Sequence, residues 1–185
     1  MARSFEQLND DHIKFIKAQK MFMVATAPLD PNGHVNTSPK GYDSLRILDR
    51  KTIAYLDMGG SGIETLAHLK ENGRITLMFM AFEGKANILR VYGRGEAVSF
   101  DEPGFEEKLA LFPNFERARS IMTIDIHRVA DSCGFGVPFY EFKSERDQLK
   151  RAIDHKTLED WKAHRLNTNA ASIDGLEGLN PKSAK

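Results

Sequence analysis

Glycines and hydroxyl side chains lead directly into a predicted helix at one place in this chain. Residues 59–65 read GGSGIET. The unpaired backbone amides at a helix start favour an anion, and the hydroxyls of Ser61 and Thr65 could add to them, so the segment could hold a phosphate group. A capped turn without a ligand would have the same composition, and Glu64 would count against an anion. The segment taken alone leaves both interpretations open.

A second candidate site lies at the end of a predicted strand, where residues 36–41 read NTSPKG. The end of a strand can present backbone amides together with the ammonium group of Lys40 to one planar ligand. A solvent-exposed lysine that follows a proline is the simpler explanation of the same residues.

Other kinds of chemistry have little support in the residue pattern. The six histidines form no HxH or HExxH pair, and the single cysteine, Cys133, leaves no second thiol for a zinc site or an intramolecular disulfide. Cys133 could be a nucleophile, although a lone cysteine is more often a small packed hydrophobe. The GRG stretch at 93–95 lies inside a predicted strand, which is the wrong place for a dinucleotide-binding loop. We therefore expect no metal site and assign no catalytic residue.

The candidate sites must be positioned by short strands that lie close together in sequence. Alternating or continuous apolar residues predict strands at 21–27, 34–37, 52–57, 74–82, 87–100 and 121–129. Helical spacing predicts helices at 4–20, 63–72, 103–112, 144–154 and 157–166, the first of them capped by Ser4. Few helices alternate with the strands, so a parallel doubly wound sheet fits poorly. The pattern favours an α+β, mainly β chain built on an antiparallel barrel of six strands with flanking helices.

Taken in order, these segments resemble the pyridoxamine 5′-phosphate oxidase-related family of FMN-binding split β-barrels, and in particular one branch of it. The resemblance covers nearly the whole chain and depends on the ordered set rather than on any one motif. The matching segments are MFMVATA (21–27), VNTSPKG (35–41), IAYLD (53–57), GSG (60–62), NGRITLMF (72–79), AFEG (81–84), ILRVYGRG (88–95), SCGFGVP (132–138) and ASIDGL (171–176).

The resemblance implies an FMN-dependent oxidoreductase that acts on a small molecule as a homodimer, with FMN bound between the subunits. The residues that it assigns to the cofactor are Ser38, Pro39 and Lys40 beside the isoalloxazine ring, Tyr55, Leu56 and Asp57 on the neighbouring strand, Ser61, Gly62 and Thr65 around the phosphate, and Arg90 and Arg94 as candidates from the partner subunit. A non-catalytic flavin- or haem-binding module is the alternative.

The resemblance also has a departure that concerns the substrate. True pyridoxamine-phosphate oxidases end in a basic Arg-x-His element that grips the substrate phosphate, whereas residues 176–185 here read LEGLNPKSAK. We therefore do not expect pyridoxamine phosphate as the substrate. We expect residues 1–166 to form the split-barrel domain with its C-terminal helices and residues 167–185 to form an irregular tail or dimer arm.

Composition excludes two classes of partner. The 185 residues include 26 basic and 26 acidic side chains, so the formal net charge is zero, whereas proteins that bind nucleic acid usually have a basic excess. No apolar run approaches the roughly 18–20 residues of a membrane span. The first fifteen residues lack the apolar core of a secretory signal, and we expect a cytoplasmic protein. A dianionic cofactor would then require positive charge concentrated locally, around Lys40 and the two arginines Arg90 and Arg94.

Overall fold

One antiparallel sheet organises the chain. The structure is a computed structural model that describes residues 3–180, and these contain eight strands and five helices. The elements are β1 (Arg3–Phe5), α1 (Asp10–Ala18), β2 (Phe22–Thr26), β3 (Asn36–Lys40), β4 (Leu45–Ile47), β5 (Thr52–Asp57), α2 (Glu64–Asn72), β6 (Arg74–Met80), β7 (Ile88–Ser99), α3 (Phe105–Leu109), β8 (Ser120–Ser132), α4 (Gln148–Asp154) and α5 (Leu158–Thr168).

The strands follow the order β3-β2-β6-β7-β8-β5-β4, and β1 adds to β8 outside this path. The sheet curls into a half-barrel, as expected for a split barrel. An ion pair joins Lys40, on the outermost strand at one end of the order, to Asp57, on the second strand from the other end. The two ends of the sheet therefore approach each other at this point.

The predicted number of six strands is wrong, because seven strands follow one another in the sheet and β1 is an eighth. The two strands that the sequence did not reveal, β1 and β4, have three residues each. A three-residue strand is too short to show the alternation by which strands are recognised.

The first helix begins later than predicted, and Ser4 is not its cap. Ser4 pairs with Ala130 in the sheet, and the helix starts after Asn9, whose side chain accepts the His12 N–H at 2.9 Å. The Asn9 N–H in turn donates to His12 Nδ1 at 3.2 Å. This is a capping box in which a histidine takes the place of the usual glutamate or glutamine.

The core lies between the concave sheet and the helices, and it includes the C-terminal part of the chain. Phe22 and Val24 of β2 and Leu77 of β6 are buried on one face of their strands. Trp161 of α5 is 2% exposed and packs against Phe100, with 5.5 Å between ring centroids. The last helix is therefore part of the same hydrophobic core as the strands.

After α5 the chain turns back on itself. The isolated bridge between Ala171 and Glu177 closes a short turn, and the Ser172 N–H donates to Leu176 O at 2.9 Å. The predicted boundary at residue 166 falls inside α5, and the division into domain and tail stays a prediction. Residues 181–185 of the predicted tail lie outside the described residues. Within residues 3–180, no helix combines the length and the apolar character that crossing a membrane requires.

Candidate functional site

A cavity of about 410 Å³ opens where β3 and β5 end and the loop 58–63 leads into α2. Its volume is within the range of roughly 300–1,000 Å³ that is usual for small-molecule sites. Eight of the predicted site residues line it, namely Ser38, Pro39, Lys40, Leu56, Asp57, Ser61, Gly62 and Thr65. The fold therefore brings the two candidate segments of the sequence together at one site.

Asp57, the last residue of β5, is held between two cations. Its Oδ2 accepts a hydrogen bond from Arg119 Nη2 at 2.6 Å, and its Oδ1 accepts from Lys40 Nζ at 3.3 Å and from the Gly59 N–H at 3.1 Å. The side chains of Asp57 and Arg119 are each 5% exposed. Burial alone would raise the pKa of Asp57, but Arg119 and Lys40 outweigh it and hold that pKa well below its usual range. Asp57 is therefore an anion at neutral pH in the folded protein.

The charges that line the cavity cancel. The charged side chains along it are Lys40, Arg119, Asp57 and Glu64, which are two cations and two carboxylates. The Glu64 carboxylate also accepts a hydrogen bond from the Ile173 N–H at 3.4 Å, so it interacts with the C-terminal turn as well as lining the cavity. An anion in this cavity would have to be attracted chiefly by backbone amides.

The loop before α2 is turned so that its amides are available. Three of its carbonyl oxygens accept hydrogen bonds from side chains: Gly60 O from Arg165 Nη1 (2.8 Å), Ser61 O from Asn169 Nδ2 (3.2 Å) and Gly62 O from Arg119 Nη1 (2.6 Å). In a trans peptide the C=O group and the following N–H group point in opposite directions. The N–H groups of Ser61, Gly62 and Ile63 therefore point away from those side chains, and Ser61 and Gly62 line the cavity.

The helix start adds further donors at the same place. Ile63, the residue before α2, has no side chain that could cap the helix. The backbone amides of the first turn of α2 are therefore not occupied by a capping side chain. The Thr65 hydroxyl accepts from Asn36 Nδ2 at 2.9 Å and keeps its own proton for another acceptor. Ser38 donates its hydroxyl proton to Asn36 Oδ1 at 3.2 Å. Backbone amides, the Thr65 hydroxyl and the Lys40 ammonium group thus line one cavity, and these are donors of the kind that an anion site requires.

Three of the predicted site residues do not line this cavity. Tyr55 is fully buried, and its ring packs edge-on against Phe22 at 5.7 Å between centroids. Arg90 donates to Ser132 Oγ at 3.2 Å and Arg94 to the carbonyl of Asn72, both on the β7 side of the molecule. The suggestion that these two arginines serve a partner subunit stays a prediction. Cys133 is exposed and lies outside the cavity.

Sequence reasoning missed Arg119, Arg165 and Asn169, whose side chains bind the carbonyl oxygens of the loop. Arg119 ends the stretch 114–119, which the sequence predicts as no more than a short helix, and Asn169 lies in a segment without any periodic pattern. Neither has a local signal, because the residues that they contact are roughly 60 to 110 positions away in the chain. Within residues 3–180, no three His, Cys, Asp or Glu side chains come together as a metal-binding group.

Comparisons with known proteins agree with this architecture. The HupZ protein of Group A Streptococcus, 24% identical, superposes with a TM-score of 0.52 over 66% of this chain and 91% of its own. A solved Lactobacillus delbrueckii protein titled as a pyridoxamine 5′-phosphate oxidase, 19% identical, superposes with a TM-score of 0.50 over 68% and 94% of the two chains. At these identities, the likeness shows the fold alone.

The sequence comparisons reach the family. The pyridoxamine 5′-phosphate oxidase family protein ustO of Aspergillus flavus is 31% identical over 95% of this chain and 77% of its own length. The family model described as pyridoxamine 5′-phosphate oxidase matches residues 8–133, which include β2 to β8 and the cavity segments between them. The chain belongs to the pyridoxamine 5′-phosphate oxidase family.

Proposed function

We propose that this protein binds FMN in the cavity and acts as an FMN-dependent oxidoreductase on a small organic substrate, as a homodimer with the cofactor at the subunit interface. The observation that carries the proposal is that Ser61 and Gly62, whose amides point away from the side chains that bind the loop carbonyls, line the same cavity as Lys40. Membership of the pyridoxamine 5′-phosphate oxidase family supports it.

The donor set fits the phosphate of FMN. That phosphate carries about −1.5 to −2 charges at neutral pH and accepts several hydrogen bonds. The amides of Ser61 and Gly62 and the Thr65 hydroxyl would hold it, and the Lys40 ammonium group would serve either the phosphate or the edge of the flavin ring. The space beside Gly60 is open, because a Cβ placed there would meet no atom within 4 Å, whereas the Glu64 carboxylate lies against Gly62.

The rest of the cavity fits the ring system. Pro39, Leu56 and Met58 supply apolar surface along it, and a flavin ring requires a flat and mainly apolar slot with a few polar groups at its edge. Lys40 and Ser38 lie on the same strand as Pro39, so one strand would present both the apolar and the polar contacts. This strand would fix the orientation of the ring.

The division of labour between cofactor and protein follows from the residues. FMN, when bound, would supply the electron or hydride transfer itself. The protein would bind the phosphate, orient the ring and exclude water. Asp57 would keep Lys40 and Arg119 in place through its hydrogen bonds to both. It would not serve as an acid or base, because a carboxylate held between two cations stays deprotonated at neutral pH. We assign no protein group as acid, base or nucleophile.

The absorbance spectrum of the purified protein, followed by mass analysis of whatever denaturation releases, tests the cofactor assignment. We expect a flavin spectrum and FMN as the released molecule. Protein purified without cofactor should bind added FMN more tightly than riboflavin, which lacks the phosphate. A haem spectrum, or equal affinity for FMN and riboflavin, would contradict the proposed site.

A turnover assay tests the oxidoreductase part separately. The FMN-loaded protein is offered reduced nicotinamide, reduced deazaflavin or an amine, and oxidation and reduction of the bound flavin are followed by its absorbance. Steady turnover with one donor is expected. Firm FMN binding without turnover on any of them would instead indicate a non-catalytic flavin-binding module. Sedimentation of the same sample should give twice the mass of one chain.

A further inference from the structure

We propose that Asn169 and the C-terminal turn that follows it are a positioning element that sets the phosphate loop in its anion-binding conformation. The inference rests on the proposed FMN site. Asn169 itself does not line the cavity, so it would act through the loop rather than by touching the cofactor.

Asn169 uses its side chain to connect the loop with Arg119. Its Nδ2 donates to Gly60 O at 3.3 Å and to Ser61 O at 3.2 Å, and its Oδ1 accepts from Arg119 Nη1 at 3.0 Å. The side-chain amide of Asn169 binds the carbonyl oxygens of Gly60 and Ser61. The N–H groups of Ser61 and Gly62, which follow these carbonyls, are therefore turned away from Asn169. Arg119 extends the same arrangement to Gly62 O and ties it to Asp57.

The turn that follows holds Asn169 in place. Asn169 is fully buried, and its backbone oxygen accepts the Leu179 N–H at 2.9 Å. Lys70 of α2 donates to Gly178 O at 2.8 Å, so the turn is fastened to the same helix that the loop enters. A Cβ on Gly178 would collide with the carbonyl of Asn169 and with the Ile63 side chain. Only glycine allows this close approach.

This positioning element lies outside the part of the chain that matches the family model, which ends at residue 133. The loop that it supports lies inside that part. A loop with glycines at 59, 60 and 62 has more backbone freedom than other sequences, and ordering it at the moment of binding would weaken affinity. A loop that is already held by Asn169 and Arg165 would not have this cost.

The test compares Asn169→Ala with the matched control Asn167→Ala, an exposed asparagine of α5 two residues earlier. Affinities for FMN and for riboflavin are measured by quenching of flavin fluorescence. We expect Asn169→Ala to raise the FMN dissociation constant about tenfold, equivalent to about 1.4 kcal/mol, and to leave that of riboflavin unchanged. Asn167→Ala should change neither.

Two further variants keep the inference testable if Asn169→Ala folds poorly. Asn169→Asp retains the acceptor for Arg119 but loses the donor to Gly60 and Ser61, and we expect it to weaken FMN selectively. Arg165→Gln removes the 2.8 Å bond from Arg165 to Gly60 O at a half-exposed position and should act in the same direction. Unchanged FMN affinity in all three variants, or an equal loss for FMN and riboflavin, would overturn the inference. Wild-type protein that binds no flavin would instead overturn the proposed function.

Discussion

The replacement Asp57→Asn tests whether the buried charges at the end of β5 stabilise the fold. In the folded protein Asp57 contacts Arg119 at 2.6 Å and Lys40 at 3.3 Å, and only 5% of the Arg119 side chain is exposed. Asparagine has nearly the same shape but carries no charge. The variant therefore leaves a buried guanidinium group without its counter-ion, while the packing around it stays nearly the same.

The expected magnitude follows from burial. Removing one partner of a buried ion pair costs about 3–5 kcal/mol, because the remaining charge stays desolvated and uncompensated. The chain has its own comparison in the exposed pair of Asp43 and Arg46, whose Asp43 side chain is 58% exposed. Exposed pairs contribute about 0.2–1 kcal/mol. We expect Asp57→Asn to lower the free energy of unfolding by several times as much as Asp43→Asn.

Urea unfolding of the wild type and both variants, followed by tryptophan fluorescence, measures these differences. The pKa of Asp57 lies well below its ordinary value of 3.8. Its charge therefore makes its full contribution to the free energy of unfolding above about pH 3.8. That contribution is lost only as the pH falls through the lower folded pKa. The difference between wild type and Asp57→Asn should therefore be constant from about pH 5 to pH 8. Equal losses in the two variants, or a difference that disappears between pH 7 and pH 5, would refute the reasoning.

Three further predictions concern the cofactor site, the sheet and a buried histidine. Lys40→Ala should weaken FMN binding by about 1–3 kcal/mol and Ser61→Ala by about 1 kcal/mol in fluorescence titrations. Unchanged affinity in Lys40→Ala would contradict the assignment of β3 to the cofactor site, and unchanged affinity in Ser61→Ala would contradict the placement of the phosphate. Gly93→Ala should lower the free energy of unfolding by about 1–3 kcal/mol, because its Cβ would collide with the Asp125 backbone where the register of β7 and β8 shifts. Gly60→Ala has open space around it and should lower the free energy of unfolding far less in the same urea experiment. Burial lowers the pKa of His68 below its ordinary value of 6.5. The contribution of the neutral His68 side chain to the free energy of unfolding should therefore be fully present above about pH 7 and be lost as the pH falls below 6.5. An equal pH dependence in His68→Asn would contradict this.

The strands of the sheet could be predicted where they are long enough for their apolar residues to form a pattern. The predicted strand at 52–57 coincides with β5, and the one at 87–100 differs from β7 by a single residue at each end. The start of α1 could not be found in this way. Ser4 has the chemistry of a cap, but it pairs with Ala130, and a partner so distant leaves no mark on the local sequence.

The residues of the loop 58–63 that line the cavity could be singled out from the sequence, but the side chains that bind its carbonyl oxygens could not. Ser61, Gly62 and Thr65 are recognisable because a glycine–hydroxyl segment before a helix has a known use. Arg119 and Asn169 have no such context. Their role depends on which carbonyls they reach, 57 and 108 residues away in sequence for Gly62 and Ser61, and only the folded chain brings these together.

The zero net charge of the chain acquires a structural meaning in the cavity. The sequence predicts positive charge around Lys40. The structure places Lys40 and Arg119 along the cavity wall, but it also places Asp57 and Glu64 there, and these balance the two cations. In the proposed site, attraction for the FMN phosphate would then come mainly from backbone amides, and their effect depends on the direction in which they point. Direction is set by the side chains that bind the carbonyls on the other side of each peptide. Control of phosphate affinity would therefore lie with Arg119, Arg165 and Asn169, and not with an excess of basic residues.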